Sequence, residues 1–315
     1  MPRFELLEGR PYNRITVQTS RGCPRACEFC AASLRITTRF QQKAVERVVG
    51  ELREARRFFP EPFVEFADDN TFLDRRWSKH FLTALEREEI HYFTETDASV
   101  ADEPELCDRI AASGCRQLLI GFESPFAGEL AGIDPAGFKQ RRATELSRVV
   151  DVLQSRGVSV NGCFVLGLDS HTPDVFPRLL EAVRRSGLAE VQFTVLTPFP
   201  GTPLYRRLSA AGRLLPDKGW DERTLFDVSY RPERMSVQEL EAGMRFLFEN
   251  TYTERATRAR QRGFVRQKRG RPAWRDREPT ANSRPPHESN ELVELRRREN
   301  PRELMPVSER HSTTE

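Results

Sequence analysis

No apolar run in the 315-residue chain approaches the roughly 18 residues that a membrane-crossing helix needs. The opening residues, MPRFELLEGRPYN, lack the apolar core of a secretory signal, so the cytoplasm is the expected location. Strong net charge is missing too: 50 basic against 47 acidic residues leave +3, which excludes a strongly acidic or basic protein overall. Histidine is scarce, with five scattered residues that form no His-x-x-x-His pair and no Ser-His-Asp arrangement. A Gly-rich phosphate loop is also absent. Cysteine is limited to six residues, yet Cys23, Cys27 and Cys30 crowd into one short stretch. That is too local for a disulfide framework. In a reducing compartment such a cluster reads as metal-binding or catalytic.

What is present is an alternation of short apolar runs and amphipathic stretches. The runs cover 15–19, 63–67, 91–96, 117–123, 158–168 and 191–196. They lack a clean period of two, as strands of a covered parallel sheet do. Between them lie helical patterns. Val45, Val48, Val49, Leu52 and Phe59 mark the first; Trp77, Phe81, Leu82 and Leu85 mark the second, with Asp74 as its N-cap. A third starts at Asp102, has Pro104 in its first turn and stops at Gly114. Leu146, Val149, Val150 and Leu153 mark the fourth, and the fifth opens at Thr172-Pro173 and closes at Gly187. Six strand–helix units with right-handed crossovers predict an α/β protein with a parallel sheet, curved into a partial (β/α)6 barrel. Residues 1–12 read as a lead-in, 13–235 as the barrel, and 236–258 as a helical extension. Residues 259–315 read as a basic, disordered tail, since 255–284 alone hold 11 basic and 2 acidic residues.

In parallel α/β folds function gathers at the C-terminal ends of the strands. Those ends carry the cysteine loop, then Asp68, Asp69 and Asn70, then Glu95 and Asp97, then Glu123 and Ser124, then Gly167 and Asp169, and finally the FPGTPLY segment. The cysteine loop, Cys23-x-x-x-Cys27-x-x-Cys30, carries the strongest chemical signal. A structural zinc wants four ligands, and no fourth Cys or His lies nearby. Three thiolates on a cubane leave one iron without a protein ligand and free to bind a small molecule. Cys107, Cys115 and Cys163 fit no second cluster and read as buried thiols.

The spacing of these cysteines, with aromatic Phe29 before the last, resembles the radical S-adenosylmethionine (SAM) enzymes. The likeness spans roughly residues 12–250. RGCPRACEFCAAS, FVEFADDNTF, CRQLLIGFES and EVQFTVLTPFPGTPLY are similar to the cobalamin-dependent branch that includes hopanoid methylases. The resemblance implies a radical SAM barrel, a 4Fe-4S cluster on Cys23, Cys27 and Cys30, and reductive cleavage of SAM to a 5′-deoxyadenosyl radical. It further implies C-methylation of a small or lipid-like substrate and a reductant protein such as a flavodoxin or ferredoxin. By the same resemblance the cofactor neighbours are Phe29 beside adenine, Asp68 and Asp69 at the amino group of SAM, Glu95 at ribose or substrate, Ser124 at the carboxylate and ribose, and Gly162 and Gly167 along adenine. The branch carries a cobalamin domain before the barrel. This sequence starts about a dozen residues before its first strand and has no Asp-x-His-x-x-Gly motif. Cobalamin from another chain, a truncated start and cobalamin-free chemistry of another reaction type stay open, as does a cluster-binding partner without turnover. The basic tail is expected to be solvated, or to contact nucleic acid or an anionic membrane surface.

Overall fold

The computed structural model describes residues 1–10, 12–31 and 39–269. In chain order the strands and helices are β1 (Ile15–Val17), β2 (Ser20–Arg21), β3 (Gln41–Gln42), α1 (Val45–Arg56), β4 (Phe63–Phe66), α2 (Arg75–Leu85), β5 (His91–Thr96), α3 (Pro104–Ala112), β6 (Cys115–Glu123), α4 (Phe138–Arg142), α5 (Leu146–Gln154), β7 (Ser159–Leu166), α6 (Val175–Ser186), β8 (Glu190–Val195), α7 (Pro203–Ala210), α8 (Val237–Thr251) and α9 (Glu254–Arg269). Six strands form one parallel sheet in the order β1-β4-β5-β6-β7-β8. Each crossover moves to the next position in the same direction. With right-handed connections that places the helices on one face and leaves the other face concave.

The strands fall where the apolar runs predict. Residues alternate along them: in β5, Tyr92, Thr94 and Thr96 are buried, whereas His91, Phe93 and Glu95 are half-buried. The buried set faces the helices. Phe66 of β4 meets Phe81 of α2 edge-on at 5.2 Å and Tyr92 at 5.1 Å. Phe81, Leu82 and Leu85 of α2 are fully enclosed, each contributing about 1.5–3 kcal/mol by burial. Asp74 caps α2 as expected, accepting from the Trp77 amide at 2.9 Å, and Gly187 closes α6 with a left-handed φ of 77°.

Two boundaries are corrected. The third helix starts at Pro104, because Ala98–Asp102 forms a separate 3-10 turn whose cap is Asp97. The extension does not end at residue 258: α9 continues to Arg269, past the expected start of the tail. Gln267 receives a hydrogen bond from Gln154, and the Lys268 stem lies over Gly157, so contacts with α5 override the lack of periodicity. The rest of the basic tail lies outside the described residues. Among the described residues no helix is long and apolar enough to cross a membrane.

Candidate functional site

The cysteine loop leaves β1 and is tied down at its root by Asp68, just past β4. One Asp68 oxygen accepts from the amides of Thr19 and Ser20 at 2.8 Å each; the other accepts from the hydroxyls of Thr19 and Thr71. Burial pushes this carboxyl up, and the four hydrogen bonds pull it back. Asp68 therefore braces the loop and has no oxygen left over for an external amine. Its neighbour Asp69 accepts one bond, from the Gly22 amide at 2.9 Å.

Further along, Asn70 Nδ2 donates to Asp97 at 2.8 Å and lies 4.0 Å from the Cys23 sulfur. Arg25, inside the loop, pairs with Asp97 at 2.8 Å and lies 3.5 Å above the centre of the Phe138 ring in α4. Burial opposes ionisation of Asp97, but the Ser99 hydroxyl and Arg25 hold it below the usual carboxylate range. The loop's far side is pinned by backbone: Glu28 N donates to Ile133 O at 2.9 Å, and Leu204 N donates to Glu28 O at 3.0 Å. Arg207 of α7 grips the Glu28 carboxylate at 2.7 Å and also reaches Asp169.

Beside Cys27 lies a buried ion pair that the sequence did not announce. Lys139 donates to Glu123 Oε1 and to Gly121 O, each at 2.7 Å. The pairing depends on a register shift between Gly121 and Glu123, where Glu123 takes a left-handed φ of 63°. A Cβ on Gly121 would lie 2.5 Å from the Glu123 carboxylate, so any side chain there would push that carboxylate from its place beside Lys139. Burial works against the Lys139 charge, yet Glu123 holds the ammonium well above its ordinary range. Cys27 is buried, and burial pushes its thiol up to about 12, partly offset by Lys139. Burial likewise raises Cys23.

The remaining expected residues are placed as follows. Phe29 packs partly buried against the core. Ser124 donates to Glu129 at 2.5 Å. The same Glu129 oxygen lies 3.1 Å from His171 Nε2, and His171 Nδ1 accepts from the Gly167 amide at 3.2 Å. Gly167 (φ 85°) has the Tyr230 hydroxyl where a side chain would go. Gly162 faces the helical layer, where a Cβ would lie 2.8 Å from Leu188, so close packing accounts for its missing side chain. Glu95 stays half-buried on the concave face, where burial and the carboxylates of Asp69, Glu65, Asp68 and Glu123 push it up to about 7. Cys107 and Cys115 are buried as expected, but Cys163 is only half-buried because it too faces the concave side.

The donor set suits a polynuclear centre. Among the described residues no three His, Cys, Asp or Glu side chains converge to hold a single ion. An iron–sulfur cluster takes each thiolate on a different iron, so it needs sulfurs spread around it on one anchored loop. Cys23, Cys27 and Cys30 supply three free thiols on one such loop.

Comparison with known proteins agrees. Residues 17–168 match the model of the radical SAM superfamily. Bacteriochlorophyllide d C-12(1)-methyltransferase of Chlorobaculum tepidum is 22% identical over 228 residues, covering 72% of this chain and 49% of that protein. Hopanoid C-2 methylase of Rhodopseudomonas palustris is 26% identical over 228 residues, covering 69% and 42%. The fold is similar to that of the radical SAM methyltransferase TsrM from Kitasatospora setae, solved with cobalamin and a [4Fe-4S] cluster bound. There the TM-score is 0.57 at 19% identity, over 73% of this chain and 46% of TsrM. The chain thus spans about half the length of the curated relatives it matches. The matched model, the anchored three-cysteine loop and the parallel sheet together identify a radical SAM domain in this chain.

Proposed function

We propose that the chain holds a 4Fe-4S cluster on Cys23, Cys27 and Cys30 and cleaves SAM reductively for methylation of a substrate carbon. The observation that carries this reading is the loop itself: three free thiols, Cys23, Cys27 and Cys30, on one loop held at its root by Asp68 and at Glu28 by Ile133 and Leu204. When bound, the cluster supplies the electron that breaks the sulfonium bond and leaves one iron for the amino and carboxylate groups of SAM. This chain's residues supply the surroundings. Asp68 and Asn70 fix the loop; Arg25 and Lys139 set two cations against an anionic centre. Asp69 keeps its second carboxylate oxygen for the amino group of SAM. Ser124, which donates its hydrogen bond to Glu129 and accepts from the Phe126 amide, offers its remaining lone pair to a ribose hydroxyl.

The methyl donor in this reading is methylcobalamin brought by another chain or another part of a longer protein. The support is the cobalamin bound in TsrM and the methyltransferase names of the relatives. A flavodoxin or ferredoxin delivers the electron.

The test is 5′-deoxyadenosine formation by the anaerobically reconstituted full chain with dithionite, beside a Cys27→Ala control. Product in the wild type and none in the variant is expected. No product from protein carrying about four irons per chain overturns turnover by this chain and leaves a cluster-binding partner instead.

A further inference from the structure

The carboxylates around the concave face have partners within the chain, with one exception. Glu65 pairs with Arg14 at 3.0 Å, Asp97 with Arg25, Glu123 with Lys139; Asp68 and Asp69 take backbone amides. Glu95 has no hydrogen bond or ion pair to its carboxylate from any described residue. The sheet register sets it level with Leu119 of β6 and Asn161 of β7. It lies one inward-facing step deeper along β5 than Asp97, which the cysteine loop engages. Four other acids surround it and none supplies a proton donor.

A half-buried carboxylate without a partner is costly, and chains rarely keep one unless a bound molecule completes it. A hydroxyl would satisfy the hydrogen bond but bring no positive charge to a carboxylate set among four other acids. An ammonium answers both. The same wall carries the amides of Gln117, Asn161 and Gln192, half-buried beside the apolar Phe93 and Leu119, and Asn161 Oδ1 has no partner among the described residues. A hydrocarbon chain would leave the Glu95 carboxylate and these amides unpaired, at the desolvation cost of each polar group.

We propose that Glu95 binds a protonated amine of the substrate inside the barrel, so that the substrate is a small, water-soluble organic cation and not a hydrocarbon lipid. The proposal rests on the reading that this chain cleaves SAM, and it names the substrate class for that site. SAM itself carries an amine, so the test separates the two sources.

Extracts of the organism that makes the protein are split into organic-soluble, water-soluble unretained and cation-exchange-retained fractions. Each is added to the reconstituted full chain, and 5′-deoxyadenosine is followed. Stimulation by the retained fraction is expected. Glu95→Gln is expected to raise the half-saturating amount of that fraction about tenfold or more, with Glu95→Asp falling between. Equilibrium dialysis of radiolabelled SAM against both proteins supplies the second readout, and the larger loss is expected on the fraction, not on SAM. Stimulation confined to the lipid or unretained fraction overturns the inference. So does a Glu95→Gln loss that falls on SAM affinity, since the amine is then the cofactor's. Absence of 5′-deoxyadenosine from the wild type without any extract defeats the underlying reading, and is thereby told apart from a failure at Glu95.

Discussion

Folding places the Glu95 carboxyl among Asp69, Glu65, Asp68 and Glu123, and its pKa rises from 4.5 to about 7. The folded state therefore keeps a proton that the unfolded chain releases between those values. Stability contributed by that proton is present below 4.5 and lost as pH climbs through 7, up to about 3 kcal/mol at roughly 1.4 kcal/mol per unit. Glu95→Gln should raise the thermal midpoint of the apoprotein at pH 8 and leave it unchanged at pH 4, as read by circular dichroism. Lys139 has the opposite character. Its side chain is 11% exposed and that of Glu123 8%, so Lys139→Met strands a buried carboxylate. A loss of about 3–5 kcal/mol in urea unfolding is expected. Glu95 could be singled out from the sequence because strand ends gather polar groups. Lys139 could not, since its partner lies 16 residues away across a bulge.

Among the elements, α9 separates composition from contact. Its arginine-rich sequence reads as a solvated tail, and most of its residues are indeed exposed or half-exposed. What holds it is Gln267 against Gln154, a fully buried side chain at the end of α5. Gln154 also donates to Gly187 O at 2.8 Å and accepts from Ala189 N at 2.9 Å, stitching α5 to the turn between α6 and β8. Gln154→Ala leaves a buried amide and a buried carbonyl unpaired, so a loss of about 3 kcal/mol is expected, measured by urea melts. Helices α2 and α6 were legible because their signals, Asp74 as a cap and Gly187 as a stop, act within a single turn. The start of α3 was misplaced because Asp102 closes a 3-10 turn instead of capping the helix.

At the scale of the whole molecule, the cysteine loop is held by segments far along the chain: Asp68 from β4, Ile133 before α4, and Leu204 and Arg207 in α7. Cluster retention should therefore respond to residues that contribute little to folding. Arg207 is 42% exposed, and its pairs are worth under about 1 kcal/mol each. Arg207→Ala is expected to speed iron loss to a chelator several-fold, followed by absorbance, with little change in the thermal midpoint.

The sequence by itself determined the three-cysteine loop, the six strands of the main sheet with the helices between them, and the parallel topology. Cysteine spacing, apolar runs and helix caps act within a few residues, so a linear reading captures them. Only the tertiary structure decided which strand-end acids are already committed. Asp68 is used up by Thr19, Ser20 and Thr71, Asp69 meets Gly22, Glu123 meets Lys139, and the Glu95 carboxylate meets no partner among the described residues. It also turned Gly162 toward Leu188 and Cys163 toward the concave face. Each outcome depends on which strands lie side by side and on one bulge in β6, and neither is written in local sequence.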